Sequence, residues 1–597
     1  MKVLKVLKLK KTHYVLVCLF AIIVCSCKKN KTHTAETLPI EQLESFYQNN
    51  LKVCIAYLDT IMQSDNKLRH YIKARDHFKK MEPILAFADS ENYKALNQPN
   101  ILKIEEEDAT DIKRLKPFGF QVIEELLHED DLSNDELQNV VTKTKSRLEF
   151  IQKNPHLSKI QNYHMLWLIR DEIARIALTG ITGFDSPVLE RSLTEAAIAY
   201  KTIQNILIIH RPNFTSNDLF NAWNKEISAT IQNLDSDFNT FDRFSFIKDH
   251  THRQLELILE TKNDWNAAFP YELAFSNDMT SLFSENTFNM SYFSYEKFDT
   301  LPAEKVKLGE ALFYDTSLSK ENTISCATCH LAEQYFTDGK PIATGVTRNS
   351  PTLLYAALQQ GFFYDNRAGS LEGQIVAVVT NENEFHSDLN HLETVVSESS
   401  EYISAFSKLY KDSISQNNIR NAIATYIRSL TPFNSKFDRN INGLENTLTA
   451  SEKNGFNLFT GKAKCATCHF PPTFNGTVPV AYKESEMELI GVPETKDTIH
   501  AVIDDDLGRY HLFNAEEKKH FFKTTTVRNA EKTGPYMHNG VFNTLEEVID
   551  FYDRGGGIGL GMDLEYQTLP PDKLNLSENE KTDLVSFMKS LTDALSY

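Results

Sequence analysis

The sequence predicts an all-α protein, and three observations carry that expectation. Apolar residues recur at helical intervals through most of residues 34–264. Period-two alternation, the mark of a half-buried strand, is scarce. One five-residue string, Cys-Ala-Thr-Cys-His, occurs twice, at 326–330 and 465–469, among short helical patterns and long loops.

Taken in order, residues 40–62, 118–127, 137–151, 165–178, 193–209 and 255–269 each show helical spacing of apolar side chains. The strings LSNDEL and DSPVLE read as helix starts, with small polar residues ahead of acidic ones. No haem, zinc or nucleotide motif is read in this region, which suits a helical bundle for docking or spacing. Residues 276–295 are polar and aromatic and read as a linker. Helical patterning resumes at 303–313. Beyond it, short helices alternate with long loops rich in Gly, Pro and Asn, the kind of loop that often carries function.

A chain of 597 residues suggests more than one domain. The formal net charge of −18 leaves no basic surplus to neutralise phosphates, which argues against a nucleic-acid partner. Lys2, Lys5, Lys8, Lys10 and Lys11 precede a short apolar stretch ending in Val24-Cys25-Ser26-Cys27. This pattern predicts a bacterial lipoprotein signal over residues 1–27 with Cys27 as the lipidated residue; an uncleaved anchor or an ordinary secretory signal are the alternatives. All three export the protein, to a periplasmic location with a membrane anchor in the lipoprotein case. Of eight cysteines, three lie in the signal and four in the repeated string, so Cys54 is left as a buried thiol.

Cys-x-x-C-H is the attachment motif of c-type haem. One helical turn presents two sulfurs to one porphyrin edge, and the following histidine faces the iron. A zinc ribbon would hold its four cysteines close together, and a redox dithiol needs no histidine next to it. The motifs therefore predict two covalent haems, one on Cys326, Cys329 and His330, the other on Cys465, Cys468 and His469. If each iron has two strong ligands the protein moves electrons; an open position permits chemistry on a small oxidant.

The surrounding strings KLGEALFYDTSLSKENTISCATCH, FTDG, RNSPTLLYAA, FFYDNRAGSLEGQ, NENEF, TGPYMHNG and TLEEVIDFYDRGG resemble the bacterial dihaem cytochrome c peroxidase and MauG family over about residues 298–596. The resemblance implies two cytochrome c-like haem domains, a peroxidatic one over 297–440 and an electron-transfer one over 441–597, behind an extra helical domain over 28–290. It implies reduction of hydrogen peroxide with electrons from a small cytochrome c or cupredoxin. A MauG-like oxidase acting on a protein or organic substrate and a non-enzymatic electron-transfer protein are the rivals. A homodimer is compatible with it.

Residue by residue, the resemblance places an active-site glutamate at Glu384 and a glutamine at Gln374. A carboxylate there could carry a proton between peroxide oxygens. The resemblance also places Tyr364 between the haems, where the family often has Trp as a stepping stone for electrons. Asn349, Thr533 and Pro535 fall on the family's calcium site and offer hard oxygen donors. No histidine lies between His330 and Arg348, where many relatives place a loop ligand, so the first iron is expected to keep an open face. The second iron's other ligand, usually Met, aligns with Tyr552, as in MauG; Met537 and Met562 are the alternatives. His538 is expected to make a structural hydrogen bond near the second haem.

Overall fold

The computed structural model describes residues 38–108, 111–154, 157–294 and 301–595. Helix makes up about 53% of it, and the strands among the described residues form two small antiparallel ribbons, Lys103–Asp108 with Asp111–Leu115 and Met487–Glu488 with Phe522–Lys523. This agrees with the all-α expectation. No described helix is long and apolar enough to cross a membrane. The expected signal, with Cys27, lies outside the described residues.

The first half is helical for the reasons its pattern suggests. In Pro39–Ile61, Leu43, Tyr47, Leu51, Cys54, Leu58 and Ile61 form one buried stripe. The Cys54 thiol, fully buried, sits 3.2 Å from the Ala74 carbonyl oxygen. The Asn66 side chain caps Lys67–Ala88 by accepting from Arg69 N at 3.0 Å. Ser133 in LSNDEL caps Asn134–Lys153 as expected.

DSPVLE does not start a helix. The next helix, Ser192–Ile209, begins beyond it, because the Asp185 side chain is drawn inward. It accepts from Lys79 at 2.6 Å and Arg175 at 3.1 Å. Arg75, Lys79 and Glu82 lie on one face of Lys67–Ala88 and are buried with Glu172, Arg175 and Glu195. Arg75 reaches Glu195 at 2.9 Å, and Arg175 reaches Glu82 at 2.6 Å. Burial pushes Asp185 up, but Lys79, Arg175 and Arg75 outweigh it and hold the carboxyl well below the usual range. Buried charges persist only when paired in this way.

The second half repeats one device. Helix Ala303–Tyr314 packs on Gln416–Ser429 at Gly309, where a Cβ would stand 2.0 Å from the Ala422 carbonyl oxygen. Helix Ala450–Phe459 packs on Glu578–Ser590 at Gly455, where a Cβ would stand 2.0 Å from the Asp583 carbonyl oxygen. Both crossings carry Gly-x-x-Leu-Phe, at 309–313 and 455–459, and each is followed by a CATCH turn. Phe313 and Phe459 are buried against the cavity those turns face.

The two repeats meet around a buried ion pair of the second, which Tyr355 of the first packs against. Arg528 donates to both Asp438 oxygens, at 2.8 and 2.9 Å, and both side chains are at most 1% exposed. Tyr355 and Phe433 flank the guanidinium, and the Tyr355 hydroxyl donates to Asp593 at 2.9 Å. Residues 276–294 differ from the expected linker: their aromatic side chains are anchored in the second repeat. Phe283 is fully buried against Phe437 and Phe474, and the Tyr292 hydroxyl donates to the Ala481 carbonyl at 2.8 Å.

Candidate active site

Each CATCH string forms a tight turn that turns its histidine inward. In the first, Thr328 Oγ1 accepts from Ser325 N at 3.0 Å, and His330 N donates to the Cys326 carbonyl at 3.0 Å. His330 Nδ1 lies 3.0 Å from the Phe336 carbonyl oxygen, which fixes Nδ1 as the protonated nitrogen and leaves Nε2 as a ligand atom. His469 repeats the arrangement, with Nδ1 3.0 Å from the Thr525 carbonyl oxygen. Both turns face one cavity of about 1380 Å³. That exceeds the roughly 300–1,000 Å³ of a pocket for one small ligand. Its wall around the first turn is apolar, with Leu318, Leu371, Ile375, Ile423 and Ile427. Two cysteine pairs, two ligand-ready imidazoles and an apolar chamber of this size fit two haems.

Glu384 lies on the wall beside the first turn. The Leu371–Thr380 helix ends at Asn381, whose carbonyl accepts from the backbone N–H groups of Glu384 and His386. The Asn381 amide then donates to Glu384 Oε2 at 2.7 Å. Gly345 lets the facing loop approach, since a Cβ there would stand 2.7 Å from the Asn383 carbonyl oxygen. Burial raises the Glu384 carboxyl above its ordinary pKa, against the opposing pull of Asn381 and Arg367. Gln374, on the same helix, also lines the cavity.

The histidines among the described lining residues are His330, His469 and His538. His538 is buried, with Nε2 3.0 Å from Asp504 Oδ1 and its ring stacked at 3.7 Å on Phe522, which suits a structural role. Arg348 spans Asp506 and Asp365, at 2.5 and 2.7 Å. The Tyr364 hydroxyl donates to Asn349 Oδ1 at 3.1 Å. Asn349 Nδ2 donates to the carbonyls of Lys340 and Pro535, at 2.7 and 3.3 Å, and Thr533 lines the same wall. The three residues expected to hold calcium are therefore gathered, but the Asn349 nitrogen, not its oxygen, faces the carbonyls.

Tyr552 closes the Leu545–Asp553 helix and lines the cavity near the second turn. Burial raises its phenol above the ordinary value, followed by Cys468, Cys465 and Glu488. Met537 also lines the cavity, whereas Met562 is not among the lining residues.

Sequence reasoning missed Glu488 and Lys523, which lie on the Met487–Glu488 and Phe522–Lys523 ribbon and line the cavity. Burial, then Glu486, pushes the Glu488 carboxyl up to about 7. Burial brings Lys523 down to about 8, and its Nζ donates to the Gly361 carbonyl at 3.1 Å. A two-residue ribbon gives no periodic signal. Also missed were lining residues from the first half of the chain, among them Gln121, Glu125, Phe184 and Phe238.

The family model described as di-haem cytochrome c peroxidase matches residues 303–446. A cytochrome-c peroxidase, IdrP2, of Denitromonas iodatirespirans is 31% identical, over 49% of this chain and 82% of the relative. The methylamine utilization protein MauG of Methylorubrum extorquens is 32% identical, over 50% of this chain and 80% of the relative. Among solved structures, a MauG-like protein associated with microbial copper homeostasis is 28% identical and covers 49% of this chain and 91% of its own, with a TM-score of 0.44. With the paired CATCH turns facing one cavity, the matches to these two relatives show that the chain is an oxidoreductase belonging to the dihaem cytochrome c peroxidase and MauG family.

Proposed function

We propose that this protein reduces hydrogen peroxide to water with electrons from a small cytochrome c or cupredoxin. The observation that supports this reading best is the half-buried Glu384 carboxyl on the cavity wall beside the first CATCH turn, held by Asn381 at 2.7 Å. Bound at the two turns, the haems would supply the iron that reacts with peroxide and the route for the two electrons that split its O–O bond. The overall change consumes one peroxide, two electrons and two protons and yields two waters.

The chain's own residues do the rest. Cys326 and Cys329 would hold one porphyrin edge, with His330 Nε2 free for its iron; Cys465, Cys468 and His469 would do the same for the other. The Phe336 and Thr525 carbonyls orient the two rings. Glu384, when ionised, would accept a proton from one peroxide oxygen and return it to the other. Gln374 orients peroxide through hydrogen bonds, since a carboxamide does not relay protons as a carboxyl does. A pure electron carrier has no use for a carboxyl at this place.

A MauG-like oxidase is the second reading, and Tyr552 favours it. Its nearness to Cys465 and Cys468 supports phenolate ligation of the second iron, which stabilises the ferric state relative to Met. Calcium is proposed at Asn349, Thr533 and Pro535, with the Asn349 carboxamide turned over so that Oδ1 faces the Pro535 carbonyl. An exported protein, lipid-anchored through Cys27, completes the proposal. Steady-state turnover of peroxide with a reduced small cytochrome tests it; turnover only with an organic or protein substrate and no cytochrome supports the second reading.

A further inference from the structure

The two CATCH turns have the same sequence and share the bond that closes them, yet they are covered differently. His330 N donates to the Cys326 carbonyl at 3.0 Å and His469 N to the Cys465 carbonyl at 2.9 Å. In the first turn Ala327 and Leu331 are half-buried and Thr328 is exposed. In the second, Ala466 and Phe470 are at most 1% exposed and Thr467 is half-buried. Residues from the first half of the chain contribute to the difference. The Phe184 ring packs edge-on against Phe470 at 5.9 Å, just after His469. Glu125, from the first half, and Lys464, just before Cys465, line the same cavity.

This cover is fixed in place. Phe244 N donates to Asn457 Oδ1 at 3.1 Å, and the Phe244 ring packs on Phe437 and Phe456. Arg243 is fully buried and donates to the carbonyls of Ile181 and Phe238, at 2.8 and 2.9 Å. Gly461, three residues before Lys464, makes room for it, since a Cβ there would stand 2.7 Å from the guanidinium.

We infer that the helical first half of the chain is a cap over the attachment edge of the second haem, and that Phe184 and Glu125 are determinants of donor specificity that restrict which protein donors reach that edge. The inference rests on Cys465–His469 being a haem-attachment turn. A C-x-x-C-H turn lies against the porphyrin edge it holds, so whatever covers the turn crowds that edge. Association of two proteins needs two matching patches to meet, whereas a small reductant needs only a gap.

The test uses the full-length, haem-loaded protein with Phe184→Ala and Glu125→Gln, two half-buried positions outside the cores of both halves. Backbone amide exchange is followed at 464–470 and at 325–331. Reduction of the second haem, without peroxide, is followed with a reduced small cytochrome c and with ascorbate. The expected result is slower exchange at 464–470 than at 325–331 in the parent protein. Phe184→Ala should speed exchange at 464–470 about fivefold, as loss of one aromatic contact does to a local opening, while 325–331 is unchanged. Both variants should speed reduction by the cytochrome more than by ascorbate. Equal exchange at the two turns in the parent, unchanged kinetics in both variants, or slower reduction by the cytochrome would each overturn the inference. The haem content of the parent separates these outcomes from failure of the peroxidase reading, because a second haem missing from 465–469 defeats the attachment assignment itself.

Discussion

The Tyr364 hydroxyl donates to Asn349 Oδ1 at 3.1 Å, and that same carboxamide donates to the Pro535 carbonyl. A tyrosine that passes an electron must shed its phenolic proton, and neither end of a carboxamide, whichever way it is turned, is base enough to take it. Burial, which raises the Tyr364 phenol, adds to the cost. Tyr364 is therefore expected to serve as packing and not as an oxidised relay. Tyr364→Phe should leave peroxide turnover within about twofold, and Tyr364→Trp, which can lose an electron without losing a proton, should speed charge exchange between the haems. Stopped-flow spectra after one equivalent of peroxide read both; a large loss in Tyr364→Phe contradicts the packing role.

Glu384→Gln keeps the shape of the side chain and the Asn381 contact but removes the proton carrier. Peroxide turnover is expected to fall at least about tenfold with both haems retained. Pyridine haemochrome content and steady-state rate together check this. Full activity in the variant removes Glu384 from the mechanism.

The pH profile follows from the raised Glu384 carboxyl. It must be ionised to accept a proton, so kcat/KM for peroxide should fall as pH drops through its folded pKa, with a limb above the usual range near 4.5. The stability effect has the opposite sign: a folded pKa raised above the unfolded one favours the fold at low pH, and that contribution fades as pH rises through the folded value. Rate and urea-midpoint profiles over the same range give both slopes, and Glu384→Gln should flatten the acid limb.

Tyr552→Met replaces an anionic oxygen ligand with a neutral sulfur. The reduction potential of the second haem should rise by on the order of 100 mV. Potentiometric titration followed in the haem absorbance bands reads the shift. No shift means that Tyr552 does not ligate the iron, and Met537, on the same cavity wall, becomes the candidate.

Asp438→Ala leaves the Arg528 cation buried between Tyr355 and Phe433 without its bidentate partner. Breaking one side of such a pair costs about 3–5 kcal/mol. A lowered urea midpoint, monitored by far-ultraviolet circular dichroism, is the expected outcome; an unchanged midpoint shows that the pair does not hold this core together.

The sequence revealed most where chemistry and periodicity are local. The apolar stripe of Pro39–Ile61 announces its helix, and each CATCH turn announces two sulfurs and an imidazole within five residues. Lys67–Ala88 was harder to read because Arg75, Lys79 and Glu82 are charged on the face it buries; their partners Asp185 and Glu195 lie about a hundred residues away. The Lys103–Asp108 and Asp111–Leu115 hairpin was missed because its strands are rich in charge, and Glu106 reaches Arg509 at 2.9 Å instead of an apolar core. Gly-x-x-Leu-Phe at 309–313 and 455–459 is a legible second repeat that went unread; it needs the helix crossings to explain why glycine stands there. Glu488 and Phe184 could not be read at all, since each becomes part of the cavity only through contacts distant in sequence.

One measurement bears on the whole scheme: electron paramagnetic resonance of the resting, fully oxidised protein, with the haems counted in the same sample. Two covalent haems per chain are expected, one giving a high-spin ferric signal from an iron with an open face and the other a low-spin signal from an iron ligated on both faces. Two low-spin haems, or a single haem per chain, would contradict it.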